Sequence, residues 1–363
     1  MTFITKSGSS LCSSDRELPA DAIATEPQNH CVVCGRAGIV EYRDLPDRLF
    51  GAPGLWSFRK CEDPSCGTLW LDPRPTREDI GKAYANYYTH QDVGRASFVK
   101  RAVRFLARER AAARFGYQTS QLPWPGKHLA SAVASLYPGL GEHLDLMIRY
   151  LSAPNERKQR LLDVGCGDGE ALDILRLLGW QVVGVELDGE AVVSARARGL
   201  DVRQGNLEDA GFSEKIFDVV TSSHVIEHVH DPLGFLREQR RVLKPGGCLI
   251  AVTPNAEGPM HRKWAKYWFN LDPPRHFTIF TLASLQQLTS AAGFSQIHII
   301  TTARAVALAE MASTKMRDNG TYRTGSWPGL GVWLRAQASQ WATTLRVKAG
   351  GQKGEELVLI AVK

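Results

Sequence analysis

Three titratable side chains lie close together in the segment H-V-I-E-H, at His224, Glu227 and His228. In a helical turn they would share one face, because residues three and four apart are neighbours on a helix. A further histidine, His276, follows in P-P-R-H-F. Imidazole, with an ordinary pKa near 6.5, suits the removal of a proton from an acceptor hydroxyl. The sequence leaves three roles open: a general base at His228 or His276, ligands of a divalent cation, or side chains that only organise a loop.

The pattern His-x-x-Glu-His also matches the inverted zinc motif of some proteases. That match is excluded here, because the residues directly follow a short apolar run, F-D-V-V-T-S-S, that is predicted as a strand. A protease motif of this kind would lie within a long helix.

Four of the seven cysteines form two close pairs, Cys31 with Cys34 and Cys61 with Cys66. Two such pairs suit a closed tetrahedral zinc site. A glycine after each second cysteine permits a tight turn, and the odd cysteine count argues against a disulfide framework. The sequence therefore predicts structural zinc at these four residues, with free cysteines as the alternative.

A glycine-rich loop, D-V-G-C-G-D-G, spans Asp163–Gly169 between an apolar run and a helical pattern. Glycines there let the backbone turn sharply and approach a ligand. Glu186 ends the next predicted strand, where a carboxylate accepts hydrogen bonds from ribose hydroxyls. The loop begins with an acid, which would repel a pyrophosphate but attract a sulfonium or amino group. Asp163 and Asp168 are alternatively turn or cap residues.

The elements that must position these residues alternate between strand and helix from Arg160 onward, with short links. This alternation predicts an α/β fold with a doubly wound, Rossmann-like parallel sheet. A long insert at about 304–352, rich in Ala, Trp and Arg, precedes the last strand and is predicted to form helices. Upstream, helical spacing predicts one helix over F-V-K-R-A-V-R-F-L-A-R-E-R-A-A-A-R-F. After a Pro/Gly break it predicts a second over the whole of L-A-S-A-V-A-S-L-Y-P-G-L-G-E-H-L-D-L-M-I-R-Y-L-S-A.

Several motifs occur in a fixed order: D-V-G-C-G-D-G, V-G-V-E-L-D, G-N-L-E-D, F-D-V-V-T-S-S-H-V-I-E-H-V and R-V-L-K-P-G-G. As a set they resemble the class I S-adenosylmethionine (SAM)-dependent methyltransferases, especially the subgroup of ubiquinone-pathway O-methyltransferases and natural-product enzymes. The resemblance covers roughly residues 160–300 and the final strand. It implies a seven-stranded sheet with an antiparallel last strand and SAM as cofactor. The cysteine segment resembles zinc-ribbon modules that precede some of these enzymes.

The resemblance also implies roles for individual residues. The glycines would line the methionine and ribose parts of SAM, with Asp163 near its amino group, Glu186 on the ribose and Leu187 against adenine. The full implied cofactor set is Asp163, Gly165, Cys166, Gly167, Gly169, Glu186, Leu187, Asn206, Leu207 and Ser223. The catalytic candidates are His224, Glu227, His228 and His276.

Four segments follow from these patterns: a polar, disordered leader at 1–27, the zinc-ribbon-like module at 28–90, a helical lid or linker at 91–157, and the SAM-binding domain at 158–363. The N-terminus has no apolar signal region and no apolar run reaches membrane-spanning length, so we expect a cytoplasmic enzyme. Tyr84, Tyr87 and Tyr88 are expected on one helix, either as part of a lid or in ordinary packing.

The acceptor is expected to be a hydroxyl of a small molecule or saccharide in a biosynthetic pathway. An aromatic and basic stretch, Arg262–Arg275, would stack on a ring and pair with a phosphate, or would be a solvated loop. The alternatives are C-methylation of a nucleotide-linked keto sugar, methylation of RNA, and SAM binding without catalysis. A net charge of +6 over 363 residues is too small to favour nucleic acid. The oligomeric state stays open.

Overall fold

The computed structural model describes residues 22–85, 97–118, 122–136, 139–154, 159–323 and 325–363. The N-terminal module contains β1 (Thr25–Glu26), β2 (Gly38–Leu45), β3 (Trp56–Cys61), β4 (Leu69–Leu71) and β5 (Arg74–Pro75). A short 3-10 helix, Ile80–Tyr84, ends it. Of the predicted leader, residues 22–27 are described and contribute β1, while the rest lies outside the described residues.

Three helices connect the module to the main sheet: α1 (Ser97–Arg114), α2 (Trp124–Leu136) and α3 (Leu140–Met147). The prediction of one continuous helix across the last two is wrong. Gly139 separates α2 from α3 with a φ of 77°, a left-handed conformation that interrupts helical hydrogen bonding.

The main domain follows as alternating strands and helices. Its elements are β6 (Arg160–Val164), α4 (Glu170–Leu177), β7 (Gln181–Glu186), α5 (Gly189–Ala197), β8 (Asp201–Gln204), β9 (Phe217–Ser223), α6 (Pro232–Val242), β10 (Leu243–Pro254), α7 (Pro259–Trp264), β11 (Thr278–Ile279), α8 (Leu282–Ala291), β12 (Ser295–Thr302), α9 (Val306–Asn319), α10 (Leu330–Lys348) and β13 (Glu356–Val362). The predicted insert at about 304–352 thus contains α9 and α10.

Seven strands form one sheet in the order β12-β13-β10-β9-β6-β7-β8. The pairs β10–β9, β9–β6, β6–β7 and β7–β8 are parallel, whereas β13 runs antiparallel to both of its neighbours. The predicted Rossmann-like sheet with an antiparallel last strand is therefore confirmed. One apolar cluster packs α1–α4 against one face, and a second packs α6 and α8 against the other. Because the parallel strands share their carboxyl ends, the loops after β6, β7 and β9 meet at one edge.

The N-terminal module shares a sheet with the main domain. In the four-stranded sheet β11-β4-β3-β2, strand β11 comes from the segment after β10 and pairs Thr278 with Trp70. The hydroxyl of Thr281, which caps α8, also donates to the carbonyl oxygen of Cys66. The module and the main domain are thus joined through their backbones. In the described part of the chain, no helix combines the length and the apolar character needed to cross a membrane.

Candidate active site

The glycine-rich loop turns from β6 into α4 through three left-handed glycines, Gly165, Gly167 and Gly169, with φ values of 72°, 56° and 79°. A Cβ on Gly165 would lie 2.5 Å from Val225, and one on Gly169 would lie 2.4 Å from Leu200, so both positions are closed by packing. A Cβ on Gly167 would meet nothing within 4 Å. The loop therefore presents open space at Gly167, where a ligand has access to the backbone.

The carboxylate of Glu186 lies at the carboxyl end of β7, directly beside this loop. It accepts hydrogen bonds from the backbone N–H of Gly167 at 2.8 Å and of Asp188 at 3.0 Å. The next side chain, Leu187, is 69% exposed. An acidic group beside open backbone and an exposed apolar side chain can receive a ribose and an adenine ring. These residues fit the nucleoside part of SAM.

The other residues implied by the resemblance divide into buried and accessible ones. The side chain of Cys166 is buried against Gly184, so this residue offers only its backbone to a ligand. Leu207 is buried, while the side chain of Asn206 accepts a hydrogen bond from the backbone N–H of Asp209. Ser223 is half-buried at the end of β9.

Asp163 is fully buried and its carboxylate is already bound within the chain. Nη2 of Arg149 lies 2.6 Å from one oxygen, and the hydroxyl of Thr221 donates to the other at 2.7 Å. The position of Asp163 near the amino group of SAM stays a prediction, for a carboxylate that already has two partners within the chain. Asp168 caps the loop instead, since it accepts from the N–H of Glu170 and pairs with Arg198.

The turn after β9 carries His224, Glu227 and His228 and lies against the glycine loop. The contact is made by Val225, whose side chain fills the space beside Gly165. His224 has a φ of 56°, and a 3-10 helix over Ile226–His228 follows it. The segment that contains His276 is held beside the turn, because the N–H of Phe277 donates to the carbonyl oxygen of Glu227 at 2.7 Å.

His224 is held between two buried carboxylates. Its Nδ1 lies 3.1 Å from Glu227, and its Nε2 lies 3.1 Å from Glu356 and 2.7 Å from Nη2 of Arg304. Burial alone would lower the pKa of His224, but the hydrogen bonds to the two carboxylates outweigh it and raise the pKa to about 9. Both ring nitrogens have partners in the chain, so His224 is placed to orient Glu227.

His228 and His276 form a pair with ring centroids 4.6 Å apart. Nδ1 of His228 donates to the carbonyl oxygen of Arg275 at 3.1 Å, and Nδ1 of His276 donates to that of Asn270 at 2.7 Å. A proton held on Nδ1 leaves Nε2 of each ring without one. Burial lowers the pKa of both histidines to about 4, so both imidazoles are neutral at neutral pH. The hydroxyl of Tyr84 also lies 3.1 Å from Nδ1 of His228.

The carboxylate of Glu227 completes this cluster. Burial alone would raise its pKa, but the hydrogen bond from His224 dominates and lowers the pKa of Glu227 to about 2. The hydroxyl of Thr253 donates to its other oxygen at 3.0 Å. Ligand atoms of Glu227, His228 and His276 all lie within 4.8 Å of one another. The cluster can therefore accept a proton on an imidazole and stabilise the resulting charge with a fixed carboxylate.

Arg275 is a structural residue that the sequence did not reveal. Its guanidinium is fully buried, contacts Asp47 at 2.8 and 2.9 Å, and pairs with Asp272. The interpretation of Arg275 as part of a phosphate-binding patch is therefore wrong. The patch is also divided, because Trp264 and Trp268 are buried and donate to Glu310 and Glu355.

The four paired cysteines come together in the N-terminal module. Their sulfur atoms lie within 4.8 Å of one another, with Cys31 Sγ 3.7 Å from Cys66 Sγ and Cys34 Sγ 3.4 Å from Cys61 Sγ. Four sulfurs about 2.3 Å from one tetrahedral ion would stand roughly 3.8 Å apart. The donor set and its spacing therefore fit zinc.

Tyr87 and Tyr88 lie outside the described residues, and Tyr84 is the last residue of its 3-10 helix.

Residues 141–299 match the model of a family described as a methyltransferase domain. A ubiquinone biosynthesis O-methyltransferase of Cereibacter sphaeroides is 39% identical over 114 residues, which are 30% of this chain and 46% of that protein. A "Probable S-adenosylmethionine-dependent methyltransferase" of Mycolicibacterium smegmatis is 38% identical over 97 residues, 26% of this chain and 38% of that protein. The chain thus spans less than half the length of the curated relatives it matches.

Among solved structures, a SAM-dependent methyltransferase of Archaeoglobus fulgidus aligns with a TM-score of 0.43 at 16% identity, covering 64% of this chain and 98% of that one. The family match and the strand order converge on the segment that carries the glycine loop, Glu186 and the histidine turn. Residues 141–299 are therefore similar to a methyltransferase domain, and they lie on a sheet with a Rossmann-like strand order.

Proposed function

We propose that this protein transfers the methyl group of SAM to a hydroxyl of a small molecule or saccharide. The observation that carries the proposal is the neutral His228–His276 pair, held beside Glu227 on a turn that packs directly against the glycine loop. SAM, when bound, supplies a methyl group already activated on a sulfonium. The chain must then align the acceptor and receive its proton.

Cofactor binding is assigned to the edge formed by the loops after β6, β7 and β9. The backbone at Gly167 and the carboxylate of Glu186 would hold the ribose, and the exposed Leu187 would cover the adenine ring. Asp163 acts indirectly, because its buried ion pair with Arg149 fixes the guanidinium of Arg149 near the end of β6.

In the catalytic step, Nε2 of His228 or His276 takes the hydroxyl proton while the acceptor oxygen gains the methyl group. The imidazolium formed is stabilised by Glu227, which His224 and Thr253 hold in place. Glu227, His228 and His276 are also close enough to ligate one divalent cation. We favour proton transfer, because His224, whose pKa is raised to about 9, places a positive charge against Glu227 that opposes a second cation there.

Zinc is assigned to Cys31, Cys34, Cys61 and Cys66. A site closed by four sulfurs has no open position for catalysis, so its part is structural. It would stabilise the module that contributes Tyr84 next to His228. The module thereby forms one wall of the acceptor site.

The proposal is tested by incubating the full chain with SAM and separate acceptors, and measuring S-adenosylhomocysteine together with the mass of the product. The panel contains catechols, free saccharides, a nucleotide-linked keto sugar and RNA. We expect turnover with a hydroxyl acceptor. Methylation only at carbon of the keto sugar, methylation only of RNA, or SAM binding without turnover on any acceptor would each contradict it.

A further inference from the structure

The segment that carries His276 folds around a buried acid from another part of the chain. We refer to residues 255–277, between β10 and β11, as the β10–β11 segment. The acid is Glu355, which directly precedes β13 and is fully buried. Its N–H donates to the carbonyl oxygen of Thr302 at 2.8 Å, and its carbonyl oxygen accepts from the N–H of Asn255 at 3.0 Å. The backbone of Glu355 is thus fixed between the ends of β12 and β10.

Three neutral donors of the β10–β11 segment converge on the carboxyl group of Glu355. Nε1 of Trp268 donates to Oε1 at 2.7 Å, and Nδ2 of Asn270 donates to the same oxygen at 3.4 Å. The backbone N–H of Met260 donates to Oε2 at 3.1 Å. Gly258 leaves room for this approach, because a Cβ there would lie 2.9 Å from Oε2. One side chain therefore binds the segment at three separate positions.

Glu355 is connected to His276 through Asn270. The carbonyl oxygen of Asn270 accepts a hydrogen bond from Nδ1 of His276 at 2.7 Å. A carbonyl oxygen can only accept, so this contact keeps the proton on Nδ1 and leaves Nε2 without one. Trp268 caps the short 3-10 helix Phe269–Leu271 that contains Asn270, and Oε1 of Glu355 binds both side chains. The carboxyl group thus fixes the turn whose carbonyl sets the tautomer of His276.

A purely stabilising role does not account for an acid at this position. Burial raises the pKa of Glu355 to about 8, and the charge of the adjacent Glu356 acts in the same direction, although the hydrogen bonds from Trp268 and Met260 lower it. An acid whose pKa is raised on folding destabilises the fold as pH rises from its unfolded value near 4.5 to about 8. A neutral side chain would avoid this loss. The need for oriented acceptor oxygens at the turn accounts for the acid.

The next residue along the chain supports another histidine of the same cluster. Oε1 of Glu356 lies 3.1 Å from Nε2 of His224, and Nδ1 of His224 lies 3.1 Å from Glu227. Consecutive side chains of an extended chain point to opposite sides, so two adjacent acids can serve two different histidines. The start of β13 therefore contacts the histidine cluster along two routes.

We propose that Glu355 is a positioning residue of the catalytic cluster, which fixes the turn Trp268–Asn270 and thereby holds His276 in the tautomer with an unprotonated Nε2. Glu355 acts through Asn270 and not on the reacting atoms. Its effect on turnover rests on the proposed function, whereas its effect on the imidazole of His276 does not.

The test compares two substitutions of Glu355. Glu355→Leu keeps the bulk of the side chain but removes both acceptor oxygens, and Glu355→Gln keeps one of them. The matched control is Glu257→Leu, at an exposed acid of the same segment. Nitrogen NMR of histidine-labelled protein at neutral pH reads which ring nitrogen of His276 carries the proton, and the spectrum of His276→Ala identifies its signals. SAM affinity, circular dichroism and turnover with an acceptor from the panel are measured on the same preparations.

We expect the Nδ1–H tautomer of His276 in wild type, Glu355→Gln and Glu257→Leu, and a mixture of both tautomers in Glu355→Leu. The kcat of Glu355→Leu should fall at least about tenfold with SAM affinity within about twofold of wild type, and Glu355→Gln should restore most of the rate. Trp268→Phe removes the donor with the shortest contact to Glu355 and should shift the tautomer of His276 in the same direction. This variant decides the question if Glu355→Leu does not fold.

An unchanged tautomer of His276 in folded Glu355→Leu or Trp268→Phe would overturn the proposal. Glu355→Gln as impaired as Glu355→Leu would also overturn it, because the acceptor oxygen would then not matter. Equal losses of turnover and SAM affinity would show a general structural role and contradict positioning. The NMR measurement needs no acceptor, so an absence of turnover in wild type would contradict the proposed function alone.

Discussion

Replacement of Arg275 by methionine tests the buried ion pair between the N-terminal module and the main domain. The guanidinium is fully buried between the carboxylates of Asp47 and Asp272, which are also buried. Removal of one partner from a buried ion pair costs roughly 3–5 kcal/mol, because a charge remains without compensation. At about 2 °C per kcal/mol for a domain of this size, Tm should fall by about 6–10 °C.

The pH dependence gives a second readout on Arg275→Met. In wild type, burial alone would raise the pKa of Asp47, but Arg275 and backbone N–H groups lower it. Without the guanidinium, the folded-state pKa of Asp47 should rise above its unfolded value. The variant then loses the most unfolding free energy relative to wild type at neutral pH. The difference becomes smaller as pH falls through that raised pKa, because protonation removes the buried charge.

Thermal and urea unfolding at several pH values measure both effects. The control is Lys215→Met, which removes an exposed ion pair with Glu214 and should change stability by less than about 1 kcal/mol. A loss of unfolding free energy under about 1 kcal/mol in Arg275→Met, or a loss that does not change with pH, would show that the buried ion pair does not stabilise the fold in this way.

Three further outcomes are expected. Glu186→Ala should weaken SAM binding at least about tenfold in calorimetry through loss of ribose contacts, whereas the exposed Glu190→Ala should not; equal affinities would contradict the assignment. Purified protein should contain about one zinc per chain by metal analysis, and Cys31→Ser but not Cys248→Ser should lower it; less than about half an equivalent in wild type would argue against the site. The rate of methyl transfer should stay level from neutral pH to about 5 and fall as pH approaches 4, because protonation of imidazoles with lowered pKa values removes the base; a midpoint near the ordinary pKa of 6.5 would contradict this.

The sheet and the clustered motifs were predictable from the sequence because they depend on local patterns. The alternation of apolar runs and helical spacing sets the strand order of a doubly wound fold, and the loop Asp163–Gly169 identifies its ligand edge. The convergence of four cysteines followed from their spacing. These features can be predicted without knowing which distant segments of the chain contact each other.

Long-range pairing was not predictable in the same way. No sequence signal indicates that Thr278 pairs with Trp70, or that Arg275 finds Asp47. A buried arginine looks the same in sequence as an exposed one, so the sequence predicts either a phosphate-binding patch or a solvated loop at Arg275. Likewise, the sequence does not indicate that Asp163 pairs with Arg149.

The most direct test of the central claim compares His228→Ala and His276→Ala with His298→Ala, an exposed histidine on β12. Turnover and SAM affinity are measured on the same preparations with the acceptor found in the panel. We expect kcat to fall about a hundredfold or more in at least one of the two variants His228→Ala and His276→Ala, with SAM affinity within about twofold of wild type and His298→Ala unaffected. Unchanged turnover in both His228→Ala and His276→Ala would contradict it.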